Sequence, residues 1–97
     1  MSVIYPVLFT EIPEGHMAYV PDLEINTHGK DLAAAISMAR DAISLWCVAE
    51  QDMNRKLPNP TDLSEIECRQ GEILTLVDAD IDAYRSFLDA EAKLTAT

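Results

Sequence analysis

Residues 3–36 read VIYPVLFTEIPEGHMAYVPDLEINTHGKDLAAAI, and the architecture turns on them. Val3, Tyr5, Val7 and Phe9 alternate onto one face, Ile4 and Leu8 onto the other. Residues 3–12 therefore read as a strand with both faces at least partly covered. Pro6 cannot donate to a ladder, which places it on an outward edge or at a bulge. Pro13-Glu14-Gly15 is a turn, with Pro fixing one φ and Gly supplying a positive one. Residues 16–20 form a second strand, closing a hairpin. Pro21-Asp22 ends it, and residues 23–27 make a short third strand with Leu23 and Ile25 facing one way. Asp31 is then the N-cap of the main helix, its carboxylate accepting from free N–H groups of the first turn. Ala34 occupies the position where a capping-box acid would reach back.

Outward from this core the helix continues. Leu32, Ile36, Ala39, Ile43, Trp46 and Met53 recur at mostly helical steps as one apolar stripe that should lie on the sheet. Met38, Ala42, Leu45 and Ala49 widen it, so the helix calls for cover on more than one side. It should end near Asp52 or Met53, ahead of Pro58. Residues 54–63 read as a loop with an extended Leu57-Pro58-Asn59-Pro60 segment, and Asp62 or Ser64 starts a short turn. Residues 72–77 make a fourth strand. Asp80 caps a short terminal helix with Ile81, Tyr84, Arg85 and Leu88 on one face, and residues 90–97 read as a frayed tail. The order is β-β-β-α-β-α. This is an α+β fold, a three-to-four-stranded mostly antiparallel sheet with one long helix packed on it.

The chain has 97 residues, enough for a single core. Its 17 acids and 7 bases give a net charge of −10. Phosphate contacts need clustered Lys or Arg, so this balance argues against nucleic-acid binding by the chain alone and against anionic membranes. A basic partner fits it better, because opposite fields speed encounter. Residues 1–29 contain no Lys or Arg and carry Glu11, Glu14, Asp22 and Glu24. The apolar runs are too short for a membrane span, and the N-terminus lacks the marks of a signal peptide. Two cysteines, Cys47 and Cys68, are too few for a disulfide framework and read as reduced thiols, small hydrophobes at buried or half-buried positions of a cytoplasmic protein.

Chemistry-bearing patterns are sparse. His16 and His28 lack a paired-ligand motif, and neither cysteine has a CxxC partner, so no metal or cofactor is expected. Asp78, Asp80 and Asp82 alternate, and with Asp22 they offer the carboxylates a Mg²⁺- or Mn²⁺-dependent nuclease would use. Asp80 already has a capping role, which favours a structural reading. Ser37, Ser44, Ser64 and Ser86 sit in no nucleophile elbow, and the apolar setting of Cys47 raises its pKa, the wrong direction for a nucleophile. Trp46, Tyr5 and Tyr19 fit either an interface or the core, with the core favoured for Trp46. From the residues alone the chain is an acidic α+β module and not an enzyme.

Six segments in order resemble the HicB-like antitoxins. They are Tyr5-Pro6-Val7-Leu8-Phe9, then Gly15 to Tyr19, Pro21-Asp22-Leu23, the Gly29 to Ile36 run into the Ala-rich helix, Leu57-Pro58-Asn59-Pro60, and Val77 to Arg85. The resemblance implies a partial ribonuclease-H-like fold over residues 1–85, with residues 86–97 a short helix end and tail. It implies an antitoxin of a type II toxin–antitoxin pair, which binds a small basic RNase of the HicA-type mRNA interferase class, blocks it sterically, and assembles as a homo-dimer or larger. Glu11, Glu14, Asp22 and Glu24 would then meet the toxin's basic face. Two other outcomes stay open, an orphan HicB-like interaction module without a toxin and a weak metal-dependent nuclease using Asp22, Asp78 and Asp80. The sequence departs from the family pattern in three places. Glu24 stands where Pro commonly follows Pro-Asp-Leu, Ala34 replaces the capping acid, and the 12 residues after Arg85 leave no room for a DNA-binding domain.

Overall fold

A computed structural model describes residues 1–95. The elements are β1 (Ser2–Ile12), β2 (Gly15–Val20), β3 (Ile25–Gly29), α1 (Leu32–Asp52), β4 (Glu72–Asp80) and α2 (Ile81–Thr95), with a turn of 3-10 helix at Leu63–Glu65. The strands form one four-stranded sheet in the order β3-β2-β1-β4, and every pair is antiparallel. The α+β reading holds, with both helices accounted for and the sheet wholly antiparallel.

β1 pairs with β4 from Ser2↔Asp80 to Thr10↔Glu72, but with β2 only from Leu8↔Tyr19 to Ile12↔Gly15. β1 is an inner strand, but Pro6 lies opposite Leu76 before β2 has joined, and the alternation of the ladder turns its nitrogen to the open side of β1, outward as expected for a residue without an N–H. Gly15 closes the hairpin at φ +144, and a Cβ there would sit 2.1 Å from the carbonyl oxygen of Gly29. The third strand starts two residues later than expected, because Leu23 N–H bonds back to Val20 O and Glu24 N–H to Pro21 O in a tight turn.

The core lies between one sheet face and α1. Tyr5, Val7, Phe9, Ala18, Val20, Val77 and Ala79 come from the strands, and Ala35, Ala39, Ile43 and Cys47 form a row of four-residue steps on the helix. Three of these helix residues are small, which lets the helix axis approach the aromatic strand residues closely. Asp31 caps α1 as expected, its Oδ1 accepting from Ala34 N–H at 2.8 Å. The expected stripe is shifted. Ala39 and Ile43 are central, Leu32, Ile36 and Trp46 are half-buried flanks, and Met53 is 61% exposed because the helix has already ended at Asp52. By length and composition α1 is apolar enough to cross a membrane. Here its most apolar row lies on the sheet of a two-layer domain.

β4 is longer than expected and runs directly into α2, with Asp80 Oδ1 accepting from Ala83 N–H at 3.0 Å at the junction. α2 continues through the segment expected to fray, as far as Thr95, and crosses the 85/86 boundary as one helix; Ala96 and Thr97 lie outside the described residues. Arg85 ties α2 to the end of α1, donating to Asp52 Oδ1 at 2.9 Å and to Gln51 Oε1 at 3.2 Å. Cys47 is buried, but Cys68 is exposed, contrary to expectation, because it sits in the polar loop before β4.

Candidate partner-binding surface

Glu11 and Glu14 are exposed at the β1–β2 hairpin, Glu11 opposite His16. Asp22 and Glu24 lie in the β2–β3 turn, at the far end of β2. A six-residue strand spans ~20 Å, so the four acids make two separate pairs and not one patch. Asp22 is also engaged internally. Its Oδ2 accepts from Thr61 N–H at 3.0 Å and its Oδ1 from the Thr61 hydroxyl at 2.5 Å, holding the loop between α1 and β4 against the sheet. Tyr5 fixes the same loop, its hydroxyl donating to Pro58 O at 2.6 Å. Burial pushes the Tyr5 phenol up to about 12, with the Cys47 and Asp22 charges adding to the effect. Glu24 is exposed at φ +53, a conformation proline's ring cannot adopt. The turn of this chain therefore differs in backbone from one with Pro at that position.

The carboxylates considered for metal chemistry do not converge. Asp22 faces Thr61, Asp80 caps α2, and Asp78 lies at the β4 edge, where Arg40 Nε donates to its carbonyl at 2.9 Å and Arg40 Nη2 pairs with its Oδ1 at 3.4 Å. Among the described residues no group of three or more His, Cys, Asp or Glu side chains is placed to hold a metal ion. Ser44 donates to Arg40 O within its own helix. Burial raises the Cys47 thiol to about 11, with Glu50 adding to the effect, and this suits packing and not attack.

The second sheet face is the larger feature. Ile4, Pro6 and Leu8 of β1 lie opposite Asp78, Leu76 and Leu74 of β4, and Leu8 lies opposite Tyr19 of β2. Cross-strand partners share a face, so these apolar residues form one surface on the side away from α1. Ile4 is 44% and Leu76 45% exposed, Leu8, Tyr19 and Leu74 are half-buried, and Pro6 between Ile4 and Leu8 is buried. Glu72, Asp78 and Asp80 run along the same face of β4. Glu72 accepts from Arg69 N–H and the Thr10 hydroxyl, which holds its carboxyl below the usual range and keeps it anionic. The alternation of Ile4 and Leu8 signals this face in the sequence. The contribution of β4 depends on its register with β1, which a single sequence does not carry.

Structural comparison shows which proteins share this fold. The chain superposes on a chain of a toxin–antitoxin complex from Streptococcus pneumoniae with a TM-score of 0.79 and 19% identity, over 87% of this chain and 73% of that one. It also superposes on a chain of a HicA3 and HicB3 toxin–antitoxin complex, with a TM-score of 0.60 and 27% identity, over 80% of this chain and 99% of that one. The fold is one found in toxin–antitoxin complexes. No protein-family model and no curated protein sequence matches the chain.

Proposed function

We propose that this chain is an antitoxin that binds a small basic RNase toxin of the HicA type in the cytoplasm and inhibits it by steric occlusion. The observation that carries the reading is the shared fold, which extends over most of this chain and recurs in two toxin–antitoxin complexes. The charge distribution supports it. None of the four strands contains a Lys or Arg, so the charged side chains that the strands themselves present to a partner at neutral pH are carboxylates. Glu11 and Glu14 at one end of β2, and Glu24 at the other, contribute to the field that draws a cationic partner; Asp22 adds its charge while holding Thr61. Inhibition of this kind needs no catalytic group in the antitoxin, consistent with the internal engagement of Asp22, Asp78 and Asp80. Self-association into a dimer or larger assembly belongs to the same reading, given the apolar side chains left outward on α1.

The test is reconstitution. A small basic RNase of the HicA type, sought first among the genes flanking this chain's own, is purified, assayed for activity alone, and assayed again after mixing with this chain. A complex of defined stoichiometry with silenced RNase activity is the expected result. A toxin that cleaves RNA equally well in the presence of excess chain refutes the proposal.

A further inference from the structure

We infer that the partner sits on the sheet face away from α1, with Ile4, Leu8, Tyr19, Leu74 and Leu76 as the apolar centre and Glu72, Asp78 and Asp80 as an acidic margin. This inference rests on the antitoxin reading and adds the surface used and the chemistry of its occupant. Both helices and the core residues belong to the other face, so these side chains have no second layer of helix over them. A contiguous apolar surface of this kind on a small domain marks an interaction site.

The charges decide the occupant. The strands place Glu72, Asp78 and Asp80 on this face and no Lys or Arg; Arg40 of α1 reaches the β4 edge and pairs with Asp78, so the remaining charge of the margin is carried by Glu72 and Asp80. A second copy docked through the same face would bring a chain of charge −10 onto another of charge −10, with acidic margins on both sides of the seam. Like charges across an interface disfavour that arrangement. A protein with an apolar patch ringed by Lys or Arg instead fills the centre and pairs the margin. The occupant is therefore a basic protein and not this chain itself.

The experiment compares two substitutions of the same chemical kind. Leu76→Lys places a cation in the centre of the face, on an edge strand where a long side chain can be accommodated. Leu94→Lys makes the same change near the end of α2, where Leu94 is 78% exposed. Leu76→Thr, a β-compatible residue, serves if the lysine variant fails to fold, as judged by circular dichroism and urea unfolding. Affinity for the same small basic RNase is measured by calorimetry, with the oligomeric state of each variant checked by light scattering. The expected result is at least a ten-fold loss of affinity for Leu76→Lys and less than a two-fold change for Leu94→Lys. Equal binding by wild type and Leu76→Lys overturns this surface and leaves the antitoxin reading standing. No binding by folded wild type overturns the antitoxin reading itself. A wild-type dimer that Leu76→Lys converts to monomer assigns the face to a second copy and overturns the basic occupant.

Discussion

Asp22 restrains the long connection between α1 and β4 through two hydrogen bonds to Thr61, both accepted by a half-buried carboxylate. Hydrogen bonds to a charged group are stronger than neutral ones, so Asp22→Ala should cost about 1–3 kcal/mol. A urea titration reads this as a lower midpoint, and protease cleavage within residues 54–63 should quicken. Gly29 is constrained differently, because a Cβ there would lie 2.4 Å from the Ala35 nitrogen and 2.8 Å from the Ala34 Cβ. Gly29→Ala has to push the first turn of α1 off the sheet, an overpacking cost of about 1–3 kcal/mol, measurable in the same titration. Tyr5 and Cys47 make stability depend on alkaline pH. Burial raises the thiol from 9.0 to about 11 and the phenol from 10.0 to about 12. Between pH 9 and 11 the unfolded chain loses the thiol proton while the folded chain keeps it, so stability falls as pH rises; the phenol acts likewise between pH 10 and 12. Each group contributes a slope of about 1.4 kcal/mol per pH unit within its window and nothing below it. Urea midpoints should be flat from pH 7 to 8.5 and fall above 9, and Cys47→Ala should flatten the lower window. The rise in the Cys47 pKa is legible from the apolar helix around it. The roles of Asp22 and Gly29 are not, because each depends on a segment that only the fold brings near.

The elements themselves were largely readable, for identifiable reasons. Alternation marks β1, Asp31 marks the start of α1, and Asp80 marks the start of α2; each is a local signal carried by adjacent residues. Boundaries that depend on tertiary partners were less so. β4 extends to Asp80 because β1 offers it a partner as far as Ser2; the alternation of Asp78 and Asp80 with buried Val77 and Ala79 fits a strand, but the length of the pairing depends on β1. The shift of the α1 stripe toward Ala35 and Cys47 has a similar origin. The aromatic side chains of β1 leave room for small helix residues, so the helix turns its alanine row inward and its Trp46 to the side. α2 owes part of its placement to Arg85, which bridges to Asp52 and Gln51. The Asp52 carboxylate is largely exposed, and exposed pairs contribute ~1 kcal/mol at most, so Arg85→Ala should leave the global urea midpoint within a few tenths of molar. Amide hydrogen exchange in α2 should nevertheless accelerate, since local opening responds to local contacts; an unchanged exchange pattern would show that Ile81, Tyr84 and Leu88 hold the helix unaided.

For the whole molecule the governing quantity is the distribution of a net charge of −10 over a thin two-layer domain. The strands carry none of the seven bases, which fall instead on the helices and on the segments joining the elements. A cationic protein therefore experiences a long-ranged attraction to the whole chain that no base on the strands opposes at the sheet. Charges at the margin act mainly before contact, during encounter, whereas the apolar centre acts after water has been expelled. The two contributions separate experimentally, because the Debye length is ~30 Å at 0.01 M salt and only ~8 Å at 0.15 M. Association of the chain with the basic partner should slow by an order of magnitude or more over that range. Dissociation, controlled by the apolar centre, should change several-fold less. Stopped-flow mixing at a series of salt concentrations measures both rates. An association rate independent of salt would mean that the acidic margin plays no part in recognition. A dissociation rate that rises as steeply as association falls would shift the binding energy from the apolar centre to the charges around it.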